Sequence, residues 1–274
     1  MAENIYQQML QADPNHPDAL QLLGVISHQT GKNDHAVDLI KKALTVRPNF
    51  AEAHNNLGNA LKGLVRLEEA VVSYHKALAI KPDYAEAHSN LGTALLEQGK
   101  LEDAITSYSK ALAINPNYAE AHSNLGAAFQ ELGRLEEAVA SYSKALAIKP
   151  NYAEAHSNLG AAFQKLGRLE EAVDNCHKAI QINPDYAEAF DRAIQFWAAV
   201  DNPTEYIVLL YNFADLPWAI DELTDLGLDG QSALGPCTPV TCTGANSGVH
   251  TVEGVAVGVF GIDPADSWDP YRYG

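Results

Sequence analysis

The chain is short of cysteine and of positive charge, and no long apolar run interrupts it. Three cysteines in 274 residues do not describe a disulfide framework. Cys237 and Cys242 form a lone C-x4-C, which lacks the two further ligands of a zinc site, and whether they pair is left open. An apolar stretch such as IVLLYNFA falls far below the ~20 residues that span a bilayer, so no membrane insertion is expected. The opening MAENIYQQML has no basic segment followed by an apolar run, so no secretory leader is expected and the cytoplasm is the default compartment. Lysine and arginine number 18 against 35 acidic residues, a net charge of −17. The deficit is uneven: residues 187–274 carry 13 acidic residues and only Arg192 and Arg272. Such a surface repels phosphate backbones and anionic lipid, which argues against nucleic-acid partners.

What the chain does have is one block repeated. AEAHNNLG at Ala51 returns as AEAHSNLG at Ala85, Ala119 and Ala153, a fixed period of 34 residues. Self-similarity at this period marks an array of supersecondary units that bury their apolar faces on one another. In residues 85–118, Leu91, Ala94 and Leu95 fall at helical spacing, and so do Ala104, Tyr108, Ala111 and Leu112. The spacing predicts two antiparallel helices per unit. Gly99 supplies the turn between them, and Pro116 ends the second. Asp83/Glu86, Asn117/Glu120, Asn151/Glu154 and Asp185/Glu188 have capping-box spacing at the start of the first helix. Gly92 and Ala104 are small where the two helices must approach closely. Cys176 takes the place of Tyr108 and Tyr142 and reads as a core residue.

The pattern Leu91-Gly92, Ala104, Tyr108, Ala111, Pro116 resembles the tetratricopeptide repeat family in length and offsets. The resemblance implies an all-α fold, a superhelical solenoid of antiparallel helix pairs. Residues 1–16 read as a half repeat and 17–186 as five repeats (17–50, 51–84, 85–118, 119–152, 153–186). Residues 187–229 read as divergent capping helices, in which Trp197, Phe213 and Trp218 cover the last repeat. Residues 230–274 read as a small β-containing extension, with a strand at 238–243, a loop at 244–248 and a hairpin-forming stretch at 249–262. Its glycines fit neither a phosphate loop nor a nucleophile elbow.

Several residue types recur in register. His54, His88, His122 and His156 read as packing residues, since helices about 8–10 Å apart cannot easily share a metal between equivalent side chains. Glu52, Glu86, Glu120 and Glu154 are accounted for by capping. Glu68/Glu69, Glu136/Glu137 and Glu170/Glu171 suit the starts of the second helices. Asn56, Asn90, Asn124 and Asn158 are explained by neither capping nor packing. With Asn55 before them and Asn59 and Thr93 one turn on, they are the candidate protein-binding residues. In the resembling family the first helices line the concave face, and these asparagines are similar to the asparagine ladder of O-linked N-acetylglucosamine transferases. That likeness implies amides gripping the backbone of an extended polypeptide. The alternative is that the asparagines were copied passively with the repeats. A lysine- and arginine-based carboxylate clamp is excluded, because Glu86, Ser89 and Asn90 occupy the corresponding places.

The sequence thus predicts a non-enzymatic scaffold that binds a protein or peptide along a concave groove, with no catalytic residue, metal or cofactor. Two further readings stand beside it. One is a self-assembling ring or filament whose C-terminal extension docks on a neighbour's array, with Trp268, Tyr271 and Tyr273 as anchors unless they fold back on the capping helices. The other is the targeting module of a glycosyltransferase-like or sulfotransferase-like enzyme without its catalytic domain.

Overall fold

The computed structural model describes residues 2–183 and two short segments, 248–252 and 255–259. Contacts divide the chain into two compact units, Met1–Ala189 and Phe190–Gly274. The first begins with α1 (Ala2–Ala12), followed by the pairs α2 (Pro17–Gln29)/α3 (Asn33–Val46) and α4 (Ala51–Lys62)/α5 (Leu67–Ile80). Then come α6 (Ala85–Glu97)/α7 (Leu101–Ile114), α8 (Ala119–Glu131)/α9 (Leu135–Ile148) and α10 (Ala153–Lys165)/α11 (Leu169–Ile182). The helical periodicity of each repeat is therefore realised as an antiparallel pair. Tyr6 and Leu10 of α1 pack on Leu20, Leu23, Leu39 and Ala43, as a second helix would.

The turn inside each pair needs a left-handed residue. Gly31, Gly99, Gly133 and Gly167 supply it with φ between 73° and 75°. The pair α4/α5 places Val65 there instead, at φ 59°. Within a pair, the glycine of the first helix receives the tyrosine of the second. A Cβ on Gly58, Gly92 or Gly126 would stand 2.4, 2.7 or 2.8 Å from the rings of Tyr74, Tyr108 and Tyr142. Those tyrosines are fully or almost fully buried. In the last described pair Cys176 fills this place, fully buried against Gly160.

The expected capping box is not formed. The N-cap residues of α4, α6, α8 and α10 are Phe50, Tyr84, Tyr118 and Tyr152, and none caps with its side chain. Asp83, Asn117 and Asn151 stand one residue too early to reach the first-turn amides. Glu120 takes its own backbone N–H instead, which together with Lys149 holds its carboxyl below the usual range. Asp185/Glu188 lies outside the described residues.

Successive first helices (α2, α4, α6, α8, α10) touch one another across the repeats, whereas successive second helices do not pack together. The array therefore bends with its first helices on the inner side and its second helices splayed outside.

In the second compact unit, β1 (Gly248–Val252) pairs antiparallel with β2 (Val255–Val259), in a register running from Gly248↔Val259 to Val252↔Val255. The two strands fall between 248 and 259, overlapping the stretch 249–262 read as hairpin-forming, with Glu253-Gly254 between them in sequence. The expected strand at 238–243, the capping helices at 187–229, Cys237 and Cys242, and Trp268, Tyr271 and Tyr273 lie outside the described residues.

Candidate functional site

Helical spacing puts four positions of each first helix in one stripe, at i, i+4, i+7 and i+11. On α6 these are Glu86, Asn90, Thr93 and Glu97; on α8 they are Glu120, Asn124, Ala127 and Glu131. The glutamates at the head of each stripe are exposed, and Asn56, Asn90, Asn124 and Asn158 are half-buried at the middle of their stripes. Among the described residues the side chains of Asn56 and Asn124, inside α4 and α8, have no hydrogen-bond partner. Asn90 Nδ2 donates to Asn55 Oδ1 at 3.1 Å, which leaves its second N–H and its carbonyl oxygen for other partners.

Asn55 belongs to the interior. It is fully buried, and its Nδ2 donates to Glu86 Oε1 at 3.1 Å and lies 3.5 Å from the Tyr84 hydroxyl. Its amide ties one repeat to the next, so it is withdrawn from any surface a partner could meet. Ser89 and Ser123 replace it in the following repeats and bond Tyr118 and Tyr152 in the same way. Burial first, then neighbouring glutamates, push the Tyr84 and Tyr152 hydroxyls up to about 12, so they serve as neutral donors. Asn59 and Thr93 are half-buried and also face inward in part. Asn59 Oδ1 accepts from Tyr74 at 2.7 Å, and Thr93 Oγ1 accepts from Tyr108 at 3.1 Å.

The histidine ladder is a set of staples. Nε2 of His54 lies 2.9 Å from the Pro48 carbonyl, and Nε2 of His88, His122 and His156 lies 3.0 Å from those of Pro82, Pro116 and Pro150. A carbonyl only accepts, so Nε2 carries the proton. Nδ1 of His54, His88 and His122 is buried without a partner among the described residues. At His156 the Asn175 side chain stands at the place that Ser73, Ser107 and Ser141 occupy in the other repeats, with its Oδ1 3.0 Å from Nδ1 and its Nδ2 donating to the Glu171 carbonyl. Glutamates of the stripe form ion pairs, Glu52 with Lys81 at 3.6 Å and Glu120 with Lys149 at 3.2 Å within their own repeats, and Glu97 with Lys62 at 3.3 Å across two repeats. Exposed pairs of this kind contribute about 0–1 kcal/mol.

Sequence reasoning overlooked the outer side. Because the second helices stand apart, a groove opens between each of three successive pairs of them (α3/α5, α5/α7, α7/α9), with volumes of about 700, 520 and 620 Å³. Their floors hold His54 and Leu57, His88 and Leu91, and His122 and Leu125. The signal was present in Ile80, Ile114 and Ile148, which recur at one place and remain 37–40% exposed. No group of three metal-capable side chains occurs among the described residues, and no described helix is long and apolar enough to cross a membrane.

The repeat geometry has counterparts. Profiles of the TPR repeat match residues 66–99, 92–133 and 131–167, and tetratricopeptide repeat profiles match 2–64 and 153–186. The chain is a tetratricopeptide-repeat protein. Similar solved structures include MamA, 29% identical with a TM-score of 0.54, the match covering 60% of this chain and 96% of that one. TTC0263, a thermophilic TPR protein from Thermus thermophilus, is 27% identical with a TM-score of 0.56, covering 66% of this chain and 99% of its own. YrrB, described as a TPR protein with an unusual peptide-binding site, is 22% identical with a TM-score of 0.54 over 68% of this chain and 96% of its own. At that identity the likeness speaks for the fold alone. No curated protein matches the chain in sequence. As a tetratricopeptide-repeat protein it is a protein-interaction scaffold, and its two faces offer different chemistry: polar amides and carboxylates inside, apolar grooves outside.

Proposed function

We propose that this protein is a non-enzymatic scaffold that holds an extended polypeptide along its inner face, on the row Asn56, Asn90, Asn124 and Asn158. The observation that carries the reading is the repetition of one half-buried amide at mid-stripe on four inner helices. Asn59 and Thr93 flank the row and remain partly open; Asn55 supports it from beneath.

The chemistry suits a main chain. A carboxamide both donates and accepts, so it can meet a peptide group without reading its side chain. First helices of adjacent repeats lie about 8–10 Å apart, which an extended chain rising about 3.3 Å per residue crosses in about three residues. Each repeat would then hold one peptide group in every three, and affinity would grow with the length engaged. Net hydrogen bonds of this kind contribute about 0.5–1.5 kcal/mol each, so specificity is modest and no single asparagine dominates.

An array of immobilised extended peptides probed with the full chain tests the proposal. The variant Asn90→Ala/Asn124→Ala/Asn158→Ala should lose most of its binding across unrelated sequences at once, with an unchanged helical signal. Undiminished capture by that variant would remove the inner row from the mechanism.

A further inference from the structure

The outer grooves differ in charge, and a few residues make the difference. The groove between α3 and α5 is lined by Lys41 on one wall and Lys76 on the other, and by no carboxylate among the described residues. The groove between α5 and α7 sets Asp103 beside Lys110, with His75 in the place of Lys41. The groove between α7 and α9 has Lys144 on its lining and Ser109 in that place.

Arginine accounts for the missing carboxylates. Glu69 and Glu137 are equivalent to Asp103, and each is gripped by the arginine that opens its helix. Arg66 donates to both oxygens of Glu69 at 2.7 Å, and Arg134 holds Glu137 in the same two-pronged way. In the repeat between them Lys100 replaces the arginine, and Asp103 lines its groove. Glu69 still feels the charge of Lys41, but its oxygens are committed to Arg66. Lys41 and Lys76 are exposed, and neither takes part in an ion pair among the described residues. Between them lie Leu44, Leu57 and Ile80. A cleft lined by one sign of charge concentrates the opposite sign, so this groove attracts anionic groups in a chain whose net charge is −17.

We propose that the α3/α5 groove docks an acidic segment of a partner protein, in which an apolar side chain enters between Leu44, Leu57 and Ile80 and carboxylates on either flank meet Lys41 and Lys76. The two lysines stand on opposite walls, so the segment needs a carboxylate on each side of its apolar residue. Covering Ile80, which is 38% exposed, supplies attraction that persists at high salt, and the charge pairs supply the salt-sensitive share. The neighbouring grooves select against the same segment: Asp103 repels it in one, and Lys144 answers a single carboxylate in the other.

Fluorescence anisotropy of a short labelled peptide, leucine flanked by glutamates, titrated with the full chain tests this. The peptide should bind, and less tightly as salt rises, because exposed charge pairs are screened. Lys41→Glu/Lys76→Glu should weaken binding about tenfold, since reversal removes two exposed pairs and adds repulsion. That variant should instead take the same peptide with lysines in place of its glutamates. Ile80→Ser should weaken binding without changing its salt dependence. Lys110→Glu and Lys144→Glu should each stay within about twofold of the wild type. The inner-face variant Asn90→Ala/Asn124→Ala/Asn158→Ala should bind this peptide as the wild type does, which separates the groove from the amide row. Circular dichroism establishes that each variant is folded. The proposal is overturned if the peptide fails to bind, if Lys110→Glu or Lys144→Glu weakens it as much as the double reversal, or if serine in place of its leucine changes nothing. Sedimentation tests the other occupant: self-association abolished by Lys41→Glu/Lys76→Glu would give the groove to a second copy and overturn the proposal as well.

Discussion

Repeats 51–84 and 85–118 share one plan, and the first of the two departs from it where the turn is tightest. Both pack a tyrosine into a glycine notch, Tyr74 on Gly58 and Tyr108 on Gly92, and both staple a histidine to the preceding proline carbonyl. Yet the left-handed turn residue is Gly99 in one and Val65 in the other. A β-branched residue resists that conformation, and Val65 is 79% exposed, so it gains no burial in return. The bond from Arg66 N to the Leu61 carbonyl at 3.0 Å matches that from Lys100 N to Leu95. Packing of the helix pair, rather than local preference, therefore sets the turn. A repeat can carry a locally unfavourable residue as long as the interlocked tyrosine and glycine hold the pair closed.

The largest effect should come from breaking that interlock. Tyr108→Ala removes a fully buried ring, and should cost about 3–5 kcal/mol by denaturant unfolding. Cys176→Ala, at the equivalent place, removes far less volume and should cost much less. Comparable losses would mean the notch does not organise the pair.

Next in size, Val65→Gly should stabilise the chain by about 1 kcal/mol, the penalty a side chain carries in left-handed geometry. Gly99→Val should move the following repeat the other way by a similar amount. A destabilised Val65→Gly variant would show that the turn is not under strain.

A smaller change follows at the histidine staples. Asn175→Ser removes the amide oxygen that faces His156 Nδ1 and keeps a donor for the Glu171 carbonyl, so it should shift stability by about 1 kcal/mol at most. If melting is unchanged, the extra amide contributes nothing.

The mildest perturbation is pH. Burial pulls His54 and His177 below their ordinary value of 6.5. The unfolded chain then takes up protons before the folded one, so stability is full above 6.5 and declines as pH falls toward the lowered folded values. Replacing His177 with glutamine should flatten that decline between neutral pH and the acid side; an unaltered slope would assign it elsewhere.

The fold was legible because the repeat states it at every level at once: Leu91 and Ala94 give the helical period, Gly99 the turn and Pro116 the stop. The helix entry was misread. Asp83 and Glu86 have the spacing of a capping box, but the half-buried Tyr84 occupies the N-cap, and packing decided where the helix begins. The amide row was legible as a repeated residue type but not as a set of individual roles. Asn55 and Asn56 are neighbours in sequence, and only helix geometry turns one inward and leaves the other at the face. The outer grooves were harder still, because they are made by separation between second helices, which no single repeat encodes. Ile80 and Ile148 hinted at them only as exposed aliphatic side chains.

Crowding of the first helices and separation of the second ones also gives the array a mechanical sense. Straightening it would bring the outer helices together and narrow the gaps between them, whereas deeper bending would compress the inner row. A molecule lodged outside would therefore act as a wedge that holds the curve, and a chain laid inside would meet amides whose spacing depends on it.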